Sequence, residues 1–182
     1  MDDYYRTPEW LVSAVLKACP QAPATVLDAG AGDGVLARAV IADALDQGRR
    51  PPSIWAVEQD PDRGPAEGVQ WVCGNFLSWS PPAWRFDLAI SNPPFSLWDD
   101  FVRALLPMTA PQGTCLVLGF VNVLGGQGRA PWWRDNPPSR IWLSPRRASF
   151  TEDGQTDPRD CAWFEWSSAP RTAQLRWLGT ER

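Results

Sequence analysis

Thr25-Val26-Leu27-Asp28-Ala29-Gly30-Ala31-Gly32-Asp33-Gly34 decides how this chain folds. Thr25-Val26-Leu27 reads as a short buried strand, and the alternating glycines that follow let a backbone turn sharply and approach a ligand closely. Residues 35–45 then read as an apolar helix closed by Gly48, whose N-terminus would offer backbone N–H groups. Alone, Gly30-Ala31-Gly32-Asp33-Gly34 would also suit a dinucleotide site.

Working outward, strand and helix alternate on both sides of this loop. Ser53-Ile54-Trp55-Ala56-Val57 is a second strand ending in Glu58, and Val69-Gln70-Trp71-Val72 is a third, followed by Cys73-Gly74-Asn75-Phe76. Residues 86–90 form a fourth strand and 97–106 the helix behind it; the almost wholly apolar 114–121 reads as a central strand covered on both faces. Such alternation predicts a doubly wound parallel α/β sheet. Upstream, Thr7 is placed to cap a helix with Pro8 in its first turn, carrying Trp10, Leu11, Ala14, Val15 and Leu16 at helical spacing. Downstream, residues 125–139 read as a long loop with one helical turn near Trp132-Trp133. Arg140-Ile141-Trp142-Leu143 and Cys161-Ala162-Trp163-Phe164-Glu165-Trp166 read as two final strands, joined by turn-rich residues, that pair antiparallel as an edge hairpin.

The chain has 182 residues, enough for one domain with a real core and too few for two ordinary ones. We therefore expect a single domain over 1–182 without a separate target-recognition domain. There is no histidine, and the four cysteines are scattered without a CxxC pair. This argues against most transition-metal sites, histidine-based catalysis and the zinc-dependent nucleobase deaminases, so no metal is expected. No signal peptide or membrane-spanning apolar run is visible, which makes a reducing cytoplasm the expected compartment and a membrane partner unexpected. The net charge of −4 weighs against nonspecific nucleic-acid binding. Arginines at 129, 134, 140, 146, 147, 159 and 171 nevertheless crowd the last third, as either a basic face or a solvated surface.

The fourth strand runs into Asn92-Pro93-Pro94-Phe95. Proline has no N–H, so this turn presents a side-chain amide oxygen and uncommitted carbonyls at the sheet rim, acceptors suited to an amine. Pro-Pro also occurs at 51, 81 and 137, but only the pair at 93 combines a leading Asn, a trailing aromatic and an apolar strand before it. The bland alternative is a tight loop after a strand.

With the upstream glycine loop, this quartet resembles the S-adenosylmethionine-dependent amino-group methyltransferases, in particular gamma-type adenine-N6 enzymes acting on DNA. The order Thr7-Pro8, glycine loop, Glu58, Asn75-Phe76, Asn92-Pro93-Pro94-Phe95 and terminal hairpin covers nearly the whole chain. Pro145-Arg146-Arg147-Ala148-Ser149-Phe150, with Asp153-Gly154 and Ala162-Trp163-Phe164, is similar to small methyltransferases of phages and prophages. The resemblance implies a Rossmann-like class I methyltransferase fold, with a mostly parallel seven-stranded sheet and an antiparallel C-terminal hairpin, in a bacterial or phage-infected cell. It implies S-adenosylmethionine held by Thr7, Pro8, Asp28, Gly30, Gly32, Glu58, Asn75, Phe76 and Asn92. Asp28 would meet the methionine portion, Glu58 the ribose hydroxyls and Asn75 the adenine amine, although Asp is usual at that last place. Asn92, Pro93, Pro94 and Phe95 would be catalytic, with Phe95 stacking on a target base swung out of the duplex. Tyr4, Tyr5, Trp98, Trp132 and Trp133 are secondary candidates to close the pocket, and Arg146 and Arg147 to meet phosphates. The expected partner is nucleic acid, DNA before RNA. RNA adenine or protein glutamine are alternative acceptors of the same device, although the glutamine enzymes usually end the quartet in tyrosine. A noncatalytic cofactor-binding partner subunit is a third reading.

Overall fold

The computed structural model describes residues 5–64, 67–81, 85–125, 128–150, 157–168 and 174–177. The strands are β1 (Thr25–Ala29), β2 (Ser53–Glu58), β3 (Val69–Cys73), β4 (Phe86–Ser91), β5 (Thr109–Phe120), β6 (Arg140–Leu143), β7 (Cys161–Trp166) and β8 (Gln174–Trp177). The helices are α1 (Glu9–Ala18), α2 (Val35–Asp46), α3 (Trp98–Met108) and the short α4 (Ala130–Asp135), with single 3-10 turns at Phe76–Ser78, Phe95–Leu97 and Val121–Leu124.

All eight strands join one sheet in the order β3-β2-β1-β4-β5-β7-β6-β8. From the central β1 the chain winds outward through β2 and β3, then returns to lay β4 on the other side of β1, in parallel throughout. Winding therefore reverses between β1 and β4, where strand ends diverge and an open α/β sheet leaves a crevice. Asp28 lies beside Ile90 in this pairing, so the glycine loop and Asn92 leave the sheet as neighbours. The Ser91 hydroxyl closes the join by donating to the Ala29 carbonyl at 2.7 Å.

Alternation within each strand divides the core. Val26, Ile54, Leu88, Ile90, Leu116 and Leu118 pack under α1 and α2, while Leu27, Val57, Ala89, Cys115 and Val117 face α3. Helix α3 answers with Trp98, Phe101, Val102 and Leu105 at helical spacing, and Asp99 and Asp100 sit in its first turn, where the helix dipole favours negative charge.

Three expectations need correction. The last two sequence-read strands do pair antiparallel, but β7 lies inside, between β5 and β6, and the edge belongs to an eighth strand, β8, parallel to β6. Strand β5 begins at Thr109 instead of Thr114, with a register shift against β4 between Phe86 and Leu88. Helix α1 takes Pro8 as its N-cap without any side-chain cap, so Thr7 does not perform the capping its position invites. Part of the β6–β7 connection, residues 151–156, lies outside the described residues.

Candidate active site

A cavity of about 370 Å³ opens at the switch point, within the range of small-molecule sites (about 300–1,000 Å³). Its wall brings together sequence-predicted residues from five separate stretches: Thr7, Gly30 with Gly32, Glu58, Asn75 with Phe76, and Asn92 with Pro94. Tyr5 lines it as well.

The glycine loop owes its path to left-handed backbone at Gly30, Gly32 and Gly34, with φ of 67°, 57° and 80°. Its amides are mostly committed. Gly30 and Ala31 donate to the Val57 carbonyl at 2.9 and 3.0 Å, and Gly32 to Glu58 Oε2 at 2.7 Å. Val35 donates to Asp33 Oδ1 and Ala37 to Asp28 Oδ2. The open helix N-terminus expected from the sequence is thus largely closed by the chain's own carboxylates. A phosphate would meet Asp33, Glu58 and Asp60 on the cavity wall, with Arg6 and Arg63 the only arginines among the lining residues. Arg6 pairs with Asp33 at 2.9 Å, and Arg63 with Asp60 at 3.1 Å and Glu58 at 4.0 Å, so the wall keeps one carboxylate in excess, a balance that disfavours a polyanionic dinucleotide.

Asp28 does not line the cavity. It is fully buried behind the loop, where loss of solvation, opposed by the Ala37 N–H and reinforced by Glu58 and Asp33, pushes its carboxyl up to about 7. Its Oδ1 has no hydrogen-bond partner among the described residues. Its visible work is to hold the start of α2 and with it the loop. Glu58 is on the wall, but each oxygen is already engaged, Oε2 by Gly32 and Oε1 by the Asp60 N–H at 2.9 Å. A carboxylate oxygen accepts more than one donor, so both keep capacity for a ligand. Asn75 Oδ1 accepts from the Leu77 N–H at 3.0 Å, and buried Phe76 packs on Phe101.

Asn92 is the most informative side chain. Its Nδ2 donates to the Tyr5 carbonyl at 2.8 Å and to Thr7 Oγ1 at 2.9 Å. The Tyr5 carbonyl can only accept, so the amide is fixed with its oxygen turned the other way. That oxygen is buried and has no hydrogen-bond partner among the described residues. An unmatched buried acceptor, here on a residue that lines the cavity, is costly unless a ligand donor meets it. The neighbouring Pro93 and Pro94 have no N–H to supply one.

Other predicted residues lie elsewhere. Phe95 is packed at 3.8 Å on Phe120 and at 4.9 Å on Tyr5, with Phe150 edge-on, so its ring is built into an aromatic cluster and does not line the cavity. Trp98 is core: 1 % exposed, it donates to the Leu118 carbonyl. Trp132 and Trp133 pack with it and Trp166 on the α3 side of the sheet, away from the cavity lining. The cause is general, since indole's area draws it to whatever apolar surface is nearest. Arg146 lies 4.5 Å above the Trp10 ring, and Arg147 faces Asp160 at 3.5 Å. Tyr4 lies outside the described residues. Sequence reading missed Arg6, whose guanidinium meets Asp33 at 2.9 Å, and missed Asp60, Leu97 and Phe101 on the wall. Of these, Arg6 carried a signal, by adjoining the recognised Thr7-Pro8 motif.

No protein family description matches the chain, and no curated protein matches its sequence. Solved structures share its fold. A protein from Listeria monocytogenes assigned as a class I S-adenosylmethionine-dependent methyltransferase superposes with a TM-score of 0.71 at 15% identity, over 99% of this chain and 68% of that one. One from Pyrococcus horikoshii assigned as an RNA methyltransferase gives 0.69 at 14% identity, over 91% and 86%. The methyltransferase subunit of a type I restriction-modification system from Streptococcus thermophilus gives 0.68 at 14% identity, over 95% of this chain and 47% of the other. The architecture is the Rossmann-like class I methyltransferase fold. Among the described residues no helix is long and apolar enough to cross a membrane.

Proposed function

We propose that this chain transfers a methyl group from S-adenosylmethionine to the exocyclic N6 amine of adenine in DNA. The observation that carries the reading is the fixed amide of Asn92, whose buried oxygen has no donor among the described residues and stands beside two prolines. The wall carries three carboxylates, Asp33, Glu58 and Asp60, against the two arginines paired with them, Arg6 and Arg63, a balance that leans toward a cation, and Phe76 and Phe101 offer apolar surface. When bound, S-adenosylmethionine supplies an electrophilic methyl group on a sulfonium.

Adenine's amine is a poor nucleophile because its lone pair is delocalised into the ring. Asn92 Oδ1 and the Pro93 carbonyl would accept its two hydrogens, favouring a tetrahedral nitrogen whose lone pair is free to attack. The N–C bond forms as the S–C bond breaks, and the nitrogen then loses a proton to water. Positioning and preorganised dipoles suffice for this, which matches a chain without histidine. The restriction-modification subunit among the fold neighbours supports DNA as the carrier of the adenine. The RNA methyltransferase neighbour supports RNA in place of DNA as a second reading.

The test offers labelled cofactor with duplex DNA, single-stranded DNA, RNA and a protein lysate, and identifies the methylated product. N6-methyladenine in DNA is expected, and label confined to RNA or protein would overturn the first choice. Asn92→Ala should retain cofactor binding by calorimetry while transfer falls on the order of a hundredfold, the scale for removing one preorganised dipole. Transfer at the wild-type rate would reduce the quartet to a loop.

A further inference from the structure

Thr7 stands just before Pro8 at the mouth of α1, where a threonine hydroxyl ordinarily serves the helix. Here α1 has no side-chain cap, and the hydroxyl, on a residue 4 % exposed, is turned to Asn92. Both N–H groups of the Asn92 amide thus go to one short segment, Tyr5 through its carbonyl and Thr7 through Oγ1, across 87 and 85 residues of sequence. Between them Arg6 is paired with Asp33 of the glycine loop, anchoring the segment to the other side of the cavity. The Tyr5 carbonyl decides which way the amide points, because reversal would set oxygen against oxygen. A single contact leaves the amide free to swing about it, and the second contact, at Thr7, removes that freedom.

We propose that Thr7 is a positioning residue for methyl transfer: by holding the second N–H of Asn92 it fixes the amide oxygen as the acceptor for the substrate amine. This rests on the reading of Asn92 as the residue that addresses that amine. It differs from the cofactor-binding role that the Thr-Pro motif implies, and the two separate experimentally. A cofactor contact acts on affinity for S-adenosylmethionine, and a positioning contact acts on turnover.

Thr7→Val keeps the shape and removes the acceptor, whereas Thr7→Ser restores it. Thr7→Val should lower kcat for adenine methylation about tenfold, the scale of one lost hydrogen bond, with the cofactor Kd by calorimetry unchanged within about twofold. Thr7→Ser should return kcat to near the wild-type value. A readout independent of activity is hydrogen exchange of the Asn92 side-chain NH2 by NMR. It should be protected in the wild type and in Thr7→Ser, and about tenfold faster in Thr7→Val if one bond of that strength is lost. An unprotected Asn92 NH2 in the wild type overturns the proposal even if Thr7→Val does not fold. So does a loss confined to cofactor affinity, or a serine variant no better than valine. A wild type that protects this amide yet methylates no adenine leaves Thr7 positioning Asn92 and instead defeats the reading of the substrate.

Discussion

At the residue scale the departure from expectation with the widest consequence is Asp28. A carboxyl raised by burial to about 7, from 3.8 when exposed, stays protonated in the folded protein at pH values where the unfolded chain has already ionised. Its contribution to stability is therefore full below about pH 3.8 and lost as the pH rises through about 7. The thermal midpoint should accordingly fall between pH 4 and 8 in the wild type, and Asp28→Asn, which can still accept from Ala37, should flatten that fall; an unchanged profile would show that another group sets it. A cation in the cavity should favour the ionised form, because Asp28 is coupled to Glu58 and Asp33 on the wall. Binding of S-adenosylmethionine near pH 7 should then release protons, measured as a calorimetric enthalpy that varies with the ionisation enthalpy of the buffer. Proton uptake would contradict this, and Asp28→Asn should lose the release.

At the element scale α3 is held on β5 by one close fit. Gly119 has no side chain because a Cβ there would fall on Nε1 of Trp98, the nitrogen that donates to the Leu118 carbonyl. Gly119→Ala should therefore destabilise the fold by about 1–3 kcal/mol, as overpacking does, and chemical denaturation will measure it. A loss near zero would mean that the indole has room to shift. Fits of this kind separate what the sequence discloses from what it does not. Strands β1, β2, β4 and β7 are legible because local apolar runs mark them, and Gly30, Glu58 and Asn92 because each ends such a run. Gln174-Leu175-Arg176-Trp177 alternates over too few residues to distinguish a strand from exposed chain, and β8 exists through its pairing with β6. Thr7 was legible as a motif and misread as a cap, because a hydroxyl's nearest local use is visible in sequence and a partner 85 residues away is not. Trp98, Trp132 and Trp133 were misplaced for a related reason, since residue type says that an indole will be covered and not which face of the sheet covers it.

At the scale of the whole molecule, four of the arginines that crowd the last third are paired with carboxylates, while Arg171 lies outside the described residues. Arg129 pairs with Asp99 at 2.7 Å, Arg140 with buried Glu165 at 2.6 Å, Arg147 with Asp160 and Arg159 with Asp157. Arg159 also lies over the Phe120 ring and Arg146 over Trp10. To reach a phosphate, each paired side chain must first leave a carboxylate, and the net charge of −4 opposes approach to a polyanion. If DNA is the substrate, affinity must come mainly from the extruded base and the cofactor cavity, with few phosphate contacts. The logarithm of the association constant for duplex DNA should then fall against the logarithm of salt with a slope on the order of −1 to −3, since each phosphate neutralised contributes about −0.9. Fluorescence anisotropy from 50 to 200 mM salt reads this directly. Charge reversal at Arg146 and Arg147 should reduce the slope by no more than about two, the share of two phosphates. A slope near −6 would mean that the ion pairs open on binding and that the C-terminal arginines form a phosphate-binding surface after all.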